Sequence, residues 1–349
     1  MGQRILLGMS GGIDSSVSAM LLQAQGYEVV GITFLFGSSK KDGLKIIRDA
    51  KYFAEKLGIK HITADLRKEF GETVIKYFKD EYLAGRTPFP CAYCNPKVKF
   101  HYLQKFAQKE NCNFISTGHY AQIKSYNGKK YIYKGLDPEK DQSFFLWGLS
   151  ADLIHKLIFP LGAFHKNETR QVARGRGFKT LSNKKDSLGI CFIEGNDYRK
   201  FLEGEGIYSK PGYFVDSKGN ILGEHKGITN YTIGQRRGLG ININFPIFVS
   251  EFLLDENEIV LAKYSELFKN FIVIRDYHFI DKQEVKAKSK YIMKVRYRLQ
   301  ETPCELNILD ETRASVRLLK PEAMIAAGQT AVFYDEDRLI GGGFIESSK

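Results

Sequence analysis

A glycine- and serine-rich turn near the start of the chain has the residue types that bind phosphate. Adjacent glycines let the backbone approach an anion closely, and the following helix would present N–H groups and a favourable dipole to it. The Lys-Ser/Thr pair of a Walker A loop is missing, so the pattern predicts a nucleotide-binding turn of another kind. Its acidic residue, Asp14, is predicted either to hold Mg2+ or to orient the loop. The predicted nucleotide-binding residues are Gly8, Met9, Ser10, Gly11, Gly12, Ile13, Asp14 and Ser15.

Two cysteines stand at the end of a proline-containing connector, residues 87–95. Asn95 is predicted to cap a helix whose first position is Pro96, which would place Cys94 just before a helix N-terminus. That position favours the thiolate and predicts a pKa below the usual value of about 8.5. The C-x-x-C spacing of Cys91 and Cys94 also fits zinc, but no second such pair completes a closed structural site.

A third cysteine, Cys191, follows a charged, glycine-containing turn at 184–189. A lone cysteine beside apolar residues is usually a packing residue. Its position after this turn instead fits a functional cysteine at the end of a strand or helix. The residues alone support the packing and the functional interpretation equally. Cys112 and Cys304 have strand-like surroundings, and we interpret both as packing residues.

The order of strand-like and helical segments predicts the domains. The first part of the chain alternates short apolar strands with helices, as in βαβ units of a parallel sheet. Asn127-Gly128 predicts a hairpin turn. Near residue 205 the pattern changes to short β-runs rich in glycine and aromatic residues, typical of small antiparallel barrels. We therefore predict an α/β parallel-sheet domain at 1–205, a small central β-rich domain at 206–270 and a C-terminal β-barrel at 271–349.

Composition excludes several classes of protein. The content of 43% hydrophobic and 26% charged residues is that of a globular protein, not a disordered or fibrous one. No apolar stretch reaches the roughly 18 residues of a membrane span, and the start of the chain leaves no room for a signal peptide. Five cysteines, an odd and sparse set, favour a reducing compartment, so we expect a cytoplasmic protein. The net charge of +12 favours a polyanionic partner, either nucleic acid or an anionic membrane surface.

Basic residues recur at even-numbered positions between 286 and 298. On one extended strand their side chains would share a face, and mainly apolar side chains would take the other. Such a strand on a barrel rim would bind phosphates, although a merely solvated face is the plainer interpretation. The residues are Lys286, Lys288, Lys290, Lys294, Arg296 and Arg298.

Several motifs, in order along the chain, together resemble the MnmA family of tRNA-specific 2-thiouridylases, which are PP-loop ATP pyrophosphatases. They are the loop at 8–15, the TPxPxxxC segment that ends at Cys94, and the runs 116–120, 140–143, 186–192 and 231–236. The resemblance implies a PP-loop domain, a small central domain and a C-terminal β-barrel. It also implies that ATP adenylates the C2 oxygen of the wobble uridine of tRNA. A cysteine persulfide then delivers sulfur, and the products are 2-thiouridine, AMP and pyrophosphate.

The resemblance also implies roles for individual residues. Cys191 matches the persulfide carrier, and Cys94 matches the nucleophile that attacks the persulfide, which leaves a Cys94–Cys191 disulfide to be reduced in each cycle. ATP and Mg2+ are the implied cofactors, and Phe34 and Gly118 match further ATP contacts. The implied partners are tRNAs of the Lys, Glu and Gln types and a sulfur donor such as a cysteine desulfurase or a sulfur-relay protein. Residues that match tRNA contacts are Phe89, Pro90 and Cys91 beside the target base, and His119, Lys140, Asp141, Gln142, Tyr297, Arg298 and Gln329.

Position 91 departs from the commoner pattern of the family, which has an acid/base aspartate there. Cys91, Cys94 and Cys191 together offer three thiolates, a set that suits a 4Fe–4S cluster with one open iron. Cluster-assisted sulfur delivery is therefore the alternative to the persulfide relay. Two further alternatives are another PP-loop adenylating enzyme and a non-catalytic tRNA-binding protein with a degenerate loop. The intact pattern at 8–15 speaks against the second of these.

Overall fold

The computed structural model describes residues 2–36, 40–182, 189–287, 289–297 and 300–349. It confirms the predicted fold class, because a helix-covered parallel sheet is followed by a small sheet and a closed β-barrel. Positions discussed above that lie outside the described residues are 184–188, Lys288 and Arg298.

The strands and helices are numbered in chain order. The strands are β1 (Arg4–Gly8), β2 (Glu28–Leu35), β3 (Lys60–Asp65), β4 (Phe114–Ser116), β5 (Ala121–Tyr126), β6 (Lys129–Lys134), β7 (Leu157–Ile158), β8 (Gly212–Val215), β9 (Ile221–His225), β10 (Phe248–Leu253), β11 (Glu258–Ala262), β12 (Phe268–Phe279), β13 (Lys290–Lys294), β14 (Thr302–Ile308), β15 (Arg313–Ala323), β16 (Thr330–Asp335) and β17 (Arg338–Ser348). The α-helices are α1 (Ile13–Ala24), α2 (Lys40–Lys56), α3 (Arg67–Phe70), α4 (Lys76–Leu83), α5 (Pro90–Cys94), α6 (Phe100–Lys109), α7 (Ala151–Ile154), α8 (Lys166–Gly175), α9 (Lys179–Ser182), α10 (Tyr198–Gly204) and α11 (Lys282–Ala287). Within the described part of the chain, no helix combines the length and apolar character needed to cross a membrane.

The chain separates into two compact units. The first comprises Met1–Val74, Cys91–Glu194 and Asp337–Ile340. The second comprises Ile75–Pro90, Gly195–Glu336 and Gly341–Lys349. The domain boundaries near 205 and 270 stay predictions.

The first unit is built on a parallel sheet in the order β3-β2-β1-β4-β7. Its central strand buries Ile5, Leu6 and Leu7 completely, as expected for a strand covered on both faces. The chain moves from β1 to β2 on one side and later adds β4 on the other, so the strand order reverses between β1 and β4. Open α/β sheets bind ligands at the carboxyl ends of the strands at such a point. The loops that follow Gly8 and Ser116 lie there.

The second unit contains two sheets. The smaller has the order β10-β11-β8-β9 and buries Phe214, Val249 and Ile259 completely. The larger includes the six strands β12-β15-β14-β13-β16-β17 and closes through pairing of β12 with β17, as between Ile272 and Ser348. Closure leaves these strands without an open edge.

The predicted single basic strand between 286 and 298 is wrong. Lys282–Ala287 form α11, and the strand β13 covers only Lys290–Lys294. A helix turns once in about 3.6 residues, so even-numbered positions no longer share one face. The guanidinium of Arg296 donates to the carbonyl oxygens of Ile233 (3.3 Å) and Met324 (2.8 Å). Burial lowers the pKa of Arg296. Its guanidinium binds backbone carbonyl groups instead of facing solvent.

Candidate active site

The glycine-rich loop joins β1 to α1, as predicted. Gly11 has a φ of +66°, a left-handed conformation that favours glycine. A Cβ at Gly11 would also lie 2.6 Å from the Cβ of Asp49, so a larger residue does not fit. Helix α1 begins at Ile13, and no side chain caps it at Gly12. The first N–H groups of α1 therefore offer partial positive charge to an anion.

Strand β2 holds this loop from one side. The hydroxyl of Thr33 donates to the carbonyl oxygen of Met9 at 2.8 Å. Within the loop, the backbone N–H of Ser10 donates to Oγ of Ser15 at 3.2 Å. Phe34, the predicted ATP contact, follows Thr33 near the carboxyl end of β2, on the side of the sheet edge where the loop lies.

Gly118 closes the opposite side of the loop, just after β4. A Cβ at Gly118 would lie 2.9 Å from the carbonyl carbon of Asp14 and 2.9 Å from the backbone nitrogen of Ser15. The backbone of the first turn of α1 thus lies so close to Gly118 that a residue with a side chain would not fit at this position. The structure brings this predicted ATP contact against the loop at 8–15.

Asp14 is engaged by a lysine that the sequence reasoning missed. Both carboxylate oxygens of Asp14 accept hydrogen bonds from Nζ of Lys166, at 2.7 and 2.9 Å. The Tyr120 hydroxyl donates to Oδ1 of Asp14 at 2.8 Å, and Oγ1 of Thr169 lies 3.0 Å from the same hydroxyl. In the structure the carboxylate of Asp14 therefore joins the first turn of α1 to Lys166 and Tyr120, and its role toward Mg2+ or the loop stays a prediction. The one sequence signal for Lys166 was its position at the start of a helix, where the dipole disfavours a cation that has no acidic partner.

The predicted helix start at Pro96 is wrong. The helix begins at Pro90 and continues through a π-turn at Asn95–Lys99 into α6. Proline suits the first helical position, because its missing N–H needs no partner there. The wider π-turn accommodates Pro96, whose ring would clash in a regular α-helix. The side chain of Asn95 does not cap a helix but donates to the carbonyl oxygen of Phe145 at 2.8 Å.

Cys94 consequently lies inside a helix, and its pKa is the reverse of the prediction. Burial raises the pKa of Cys94 to about 11, and the positive charge of Lys99 offsets only part of this effect. All five cysteines are free, and Cys94 is buried. At neutral pH this thiol is therefore protonated.

The three candidate cysteines interact electrostatically. Burial raises the pKa of Cys91, and Lys99 opposes the rise. Burial is also the largest cause of the raised pKa of Cys191, followed by the like charges that Cys91 and Cys94 would carry. Cys191 is exposed over the residue as a whole, so it is the most accessible of the three candidate thiols. Repulsion among the three sulfurs disfavours more than one thiolate at a time.

Replacing Lys99 by methionine is expected to slow alkylation of Cys94 about threefold or more at pH 8. The variant removes the charge that lowers the pKa of this thiol, so a smaller fraction is thiolate. The rate of iodoacetamide labelling at Cys94, followed by mass spectrometry from pH 7 to 10, checks this. Lys97→Met is the matched control, since Lys97 is exposed. Equal labelling rates in the two variants would contradict the assignment of Lys99.

His119 follows Gly118 and is a partly buried histidine. Burial lowers the pKa of His119 well below 6.5, and the charge of Lys99 lowers it further. Its Nδ1 lies 2.5 Å from Oγ1 of Thr117. The ring packs against Phe100 and Phe159, with centroid distances of 5.8 Å in both cases. Gly118 and His119 thus connect the loop at 8–15 with the cysteine-bearing segment, because Gly118 contacts that loop and Lys99 also lowers the pKa of His119.

The stability of the protein is expected to fall as the pH drops below about 6.5, in part because of His119. The unfolded chain binds a proton at that pH, whereas the folded state keeps this ring neutral. The loss is at most about 1.4 kcal/mol per pH unit for one such histidine. Urea unfolding at pH 7.5, 6.5 and 5.5 measures it, and a His119→Gln variant should lose less stability than the unchanged protein. Identical slopes in the two proteins would show that His119 titrates normally.

The predicted RNA-contacting residues in the first unit also shape its loops. Oδ1 of Asp141 accepts from the backbone N–H groups of Gly135 (2.9 Å) and Ser143 (3.0 Å). Oε1 of Gln142 accepts from the backbone N–H of Tyr120 at 3.0 Å, which fixes the turn next to His119. Their assignment to tRNA, and that of Lys140, stays a prediction.

In the second unit, Gln329 holds the connector that leads to the cysteines. Its Nε2 donates to the carbonyl oxygens of Thr87 (3.0 Å) and Pro88 (3.4 Å). These precede Phe89 and Pro90, the residues predicted to lie beside the target base. Tyr297 is partly buried. The tRNA contacts of Gln329, Tyr297, Phe89 and Pro90 stay predictions.

Sequence reasoning also missed an acidic anchor of the same connector. The Glu81 side chain, 5% exposed, pairs with Arg86 at 2.7 Å and with Arg275 at 2.8 Å. A buried carboxylate needs such partners. Nothing in the sequence near Glu81 indicates that Arg275 is one of them, because the two meet only in the folded chain.

Comparison with protein families gives three consecutive matches. Residues 3–195 match the tRNA methyl transferase HUP domain. Residues 199–263 match the tRNA methyl transferase PRC-barrel domain, and residues 269–345 match the aminomethyltransferase beta-barrel domain. Together the three models span nearly the whole chain.

Curated relatives match over almost their full length. The chain is 42% identical to the tRNA-specific 2-thiouridylase MnmA 3 of Phocaeicola vulgatus, across 99% of this chain and 95% of that protein. It is 44% identical to the tRNA-specific 2-thiouridylase MnmA 1 of Bacteroides fragilis, across 99% of this chain and 98% of that protein. It is 43% identical to the tRNA-specific 2-thiouridylase MnmA of Cytophaga hutchinsonii, across 99% and 98%.

Proposed function

The chain belongs to the MnmA family of tRNA-specific 2-thiouridylases, and we propose that it uses ATP to replace the C2 oxygen of the wobble uridine of tRNA with sulfur. One observation carries this proposal. Gly118 contacts the loop at 8–15. Besides burial, the positive charge of Lys99 lowers the pKa of His119, the next residue. The same charge opposes the burial that raises the pKa values of Cys91, Cys94 and Cys191. This arrangement supports a single site in which the loop at 8–15 binds ATP and the three thiols deliver sulfur.

The first step is activation of the base. The C2 oxygen of uridine attacks the α-phosphorus of ATP, the bond to pyrophosphate breaks, and the base loses its N3 proton. AMP then forms the leaving group at C2, which a sulfur nucleophile can displace. The uncapped first turn of α1 supports this step, because its N–H groups would stabilise the departing pyrophosphate.

The second step is sulfur transfer through two cysteines. Cys191 carries a persulfide. Cys94 loses its proton to solvent and attacks the inner sulfur of the persulfide as the thiolate. A Cys94–Cys191 disulfide forms, and the outer sulfur leaves as hydrosulfide with the bonding electron pair. Hydrosulfide attacks C2 and AMP departs, after which an external reductant returns the disulfide to two thiols. The arrangement supports this order, since Cys191 is exposed and Cys94 is buried.

A reaction that uses a protein-bound metal ion or a 4Fe–4S cluster needs side chains that ligate the metal. Among the described residues, no group of three or more His, Cys, Asp or Glu side chains is placed to hold a metal ion. The oxygens of Asp14 face Lys166. The described side chains as arranged offer no ligand set for a 4Fe–4S cluster. Mg2+ would be held mainly by the phosphates of ATP, and we derive no step through either group.

Iron analysis distinguishes the relay from the cluster alternative. The relay predicts negligible iron after anaerobic purification and retained thiolation in a Cys91→Ser variant. Stoichiometric iron that disappears together with activity in this variant would favour the cluster held by Cys91, Cys94 and Cys191.

The proposed partners follow from the reaction. We propose that the substrates are tRNAs of the Lys, Glu and Gln types and that a cysteine desulfurase or sulfur-relay protein loads Cys191 in the cytoplasm. The net charge of +12 supports binding of a polyanion, and such binding should weaken steeply with added salt.

Reconstitution tests the proposed function. The protein is incubated with ATP, a persulfide-generating desulfurase and an unmodified tRNA transcript, and the nucleosides are analysed by mass spectrometry. We expect one 2-thiouridine for each AMP formed, and none in a transcript with cytidine at the wobble position. Release of pyrophosphate without 2-thiouridine would point to another adenylating enzyme, and tRNA binding without ATP consumption to a binding protein.

A further inference from the structure

The nucleotide-binding loop has an unfavourable charge for its ligand. Residues 8–15 include no Lys or Arg, and Asp14 places a carboxylate in the first turn of α1. A polyphosphate carries several negative charges, so this carboxylate alone would repel it. A cation next to Asp14 would offset this repulsion and add to the attraction of the N–H groups of α1 for ATP.

Lys166 occupies that place. Its Nζ lies 2.7 Å and 2.9 Å from the two oxygens of Asp14. Its side chain is 9% exposed, whereas that of Asp14 is 34% exposed. The ammonium group also lies 5.5 Å from the centre of the Tyr120 ring. The lysine is thus fixed in position, and the carboxylate is the more exposed partner of the pair.

This ion pair is poorly explained as a device for stability. Burying two charges costs about as much as their attraction returns, and apolar pairs of similar volume are often as stable. Lys166 is also the first residue of α8, where the helix dipole disfavours a positive charge. The surrounding contact between α1 and α8 is already apolar, through Val17, Met20 and Ala173.

We propose that Lys166 binds the β- and γ-phosphates of ATP and that Asp14 holds it at the loop for this purpose. Lys166 thereby supplies, from a distant helix, the cation that a Walker A loop carries in its own sequence. The inference rests on the proposed function, because it requires ATP at the loop formed by residues 8–15.

Equilibrium binding of ATP and of AMP to a Lys166→Gln variant tests the proposal. Glutamine keeps a donor for Asp14 but removes the charge. We expect the affinity for ATP to fall roughly 10- to 100-fold, the range for loss of a charged hydrogen bond. The affinity for AMP, which lacks the β- and γ-phosphates, should stay unchanged. Lys166→Arg should preserve most of the preference for ATP.

A charge-removing change at an exposed lysine of the same unit is the matched control. Lys156→Gln removes one positive charge away from Asp14, so the ratio of ATP to AMP affinity should stay that of the unchanged protein. Parallel losses of ATP and AMP affinity in Lys166→Gln, or no loss of either, would overturn the proposal. If Lys166→Gln does not fold, a Lys166→Arg protein with normal AMP binding and no preference for ATP would overturn it equally.

Pyrophosphate release by the unchanged protein separates this inference from the proposed function. Release that depends on tRNA, together with unaltered ATP binding in Lys166→Gln, would overturn only the role of Lys166. Absence of ATP binding by the unchanged protein would overturn both.

Discussion

Cys191→Ser and Cys94→Ser are each expected to lower 2-thiouridine formation at least about a thousandfold, while tRNA-dependent pyrophosphate release continues. Serine cannot carry a persulfide at position 191, and at position 94 it cannot form the disulfide that frees the sulfur. In the proposed mechanism, activation of the base depends on the loop at 8–15 and not on either thiol. The measurement is a parallel assay of pyrophosphate and of 2-thiouridine under single-turnover conditions.

Cys112→Ser is the matched control for these variants. Cys112 has a free thiol that is partly buried, and it lies after α6, outside the group formed by Cys91, Cys94 and Cys191. We expect this variant to make 2-thiouridine at the normal rate. Normal thiolation by Cys94→Ser or Cys191→Ser would contradict the relay, and joint loss of both activities would mean that the thiols act in activation of the base as well.

Gly118→Ala is expected to reduce tRNA-dependent pyrophosphate release about a hundredfold or more. The new Cβ would lie 2.9 Å from backbone atoms of Asp14 and Ser15, so the first turn of α1 must move. A shift of about 1 Å in a reacting group can cost about a hundredfold in rate. The rate of pyrophosphate release at saturating ATP, with the concentration of ATP that gives half-maximal rate, measures the effect.

A second glycine controls for the general effect of the added methyl group. Gly175 ends α8, and a Cβ there would meet no atom within 4 Å. Gly175→Ala should therefore release pyrophosphate at the normal rate and be equally or more stable. A Gly118→Ala protein that is as active as Gly175→Ala would show that the close approach is unimportant for activation.

Features set by local chemistry were predictable from the sequence. The loop at 8–15 follows a buried strand and opens a helix, as its glycines and apolar neighbours indicated. The Asn127-Gly128 turn has φ values of 47° and 76°, because only such residues adopt the left-handed conformation that a tight hairpin needs. In both cases one short segment contains all the determinants.

Features that depend on distant partners were not predictable. Asn95 and Pro96 have the residue types of a helix start. In the structure, however, the Asn95 side chain donates to the carbonyl oxygen of Phe145, and Pro96 lies in the π-turn. The resulting burial reverses the expected pKa shift of Cys94. Lys166 and Asp14 are 152 residues apart in the chain, and only the packing of α8 on α1 joins them.

Transfer of an oxygen isotope tests the central claim most directly. A tRNA transcript with 18O at C2 of the wobble uridine is converted by the protein with ATP and a sulfur donor, and the AMP is analysed by mass spectrometry. Adenylation of the C2 oxygen predicts one 18O atom in each AMP formed and none in pyrophosphate. Unlabelled AMP formed together with 2-thiouridine would contradict activation of that oxygen by ATP.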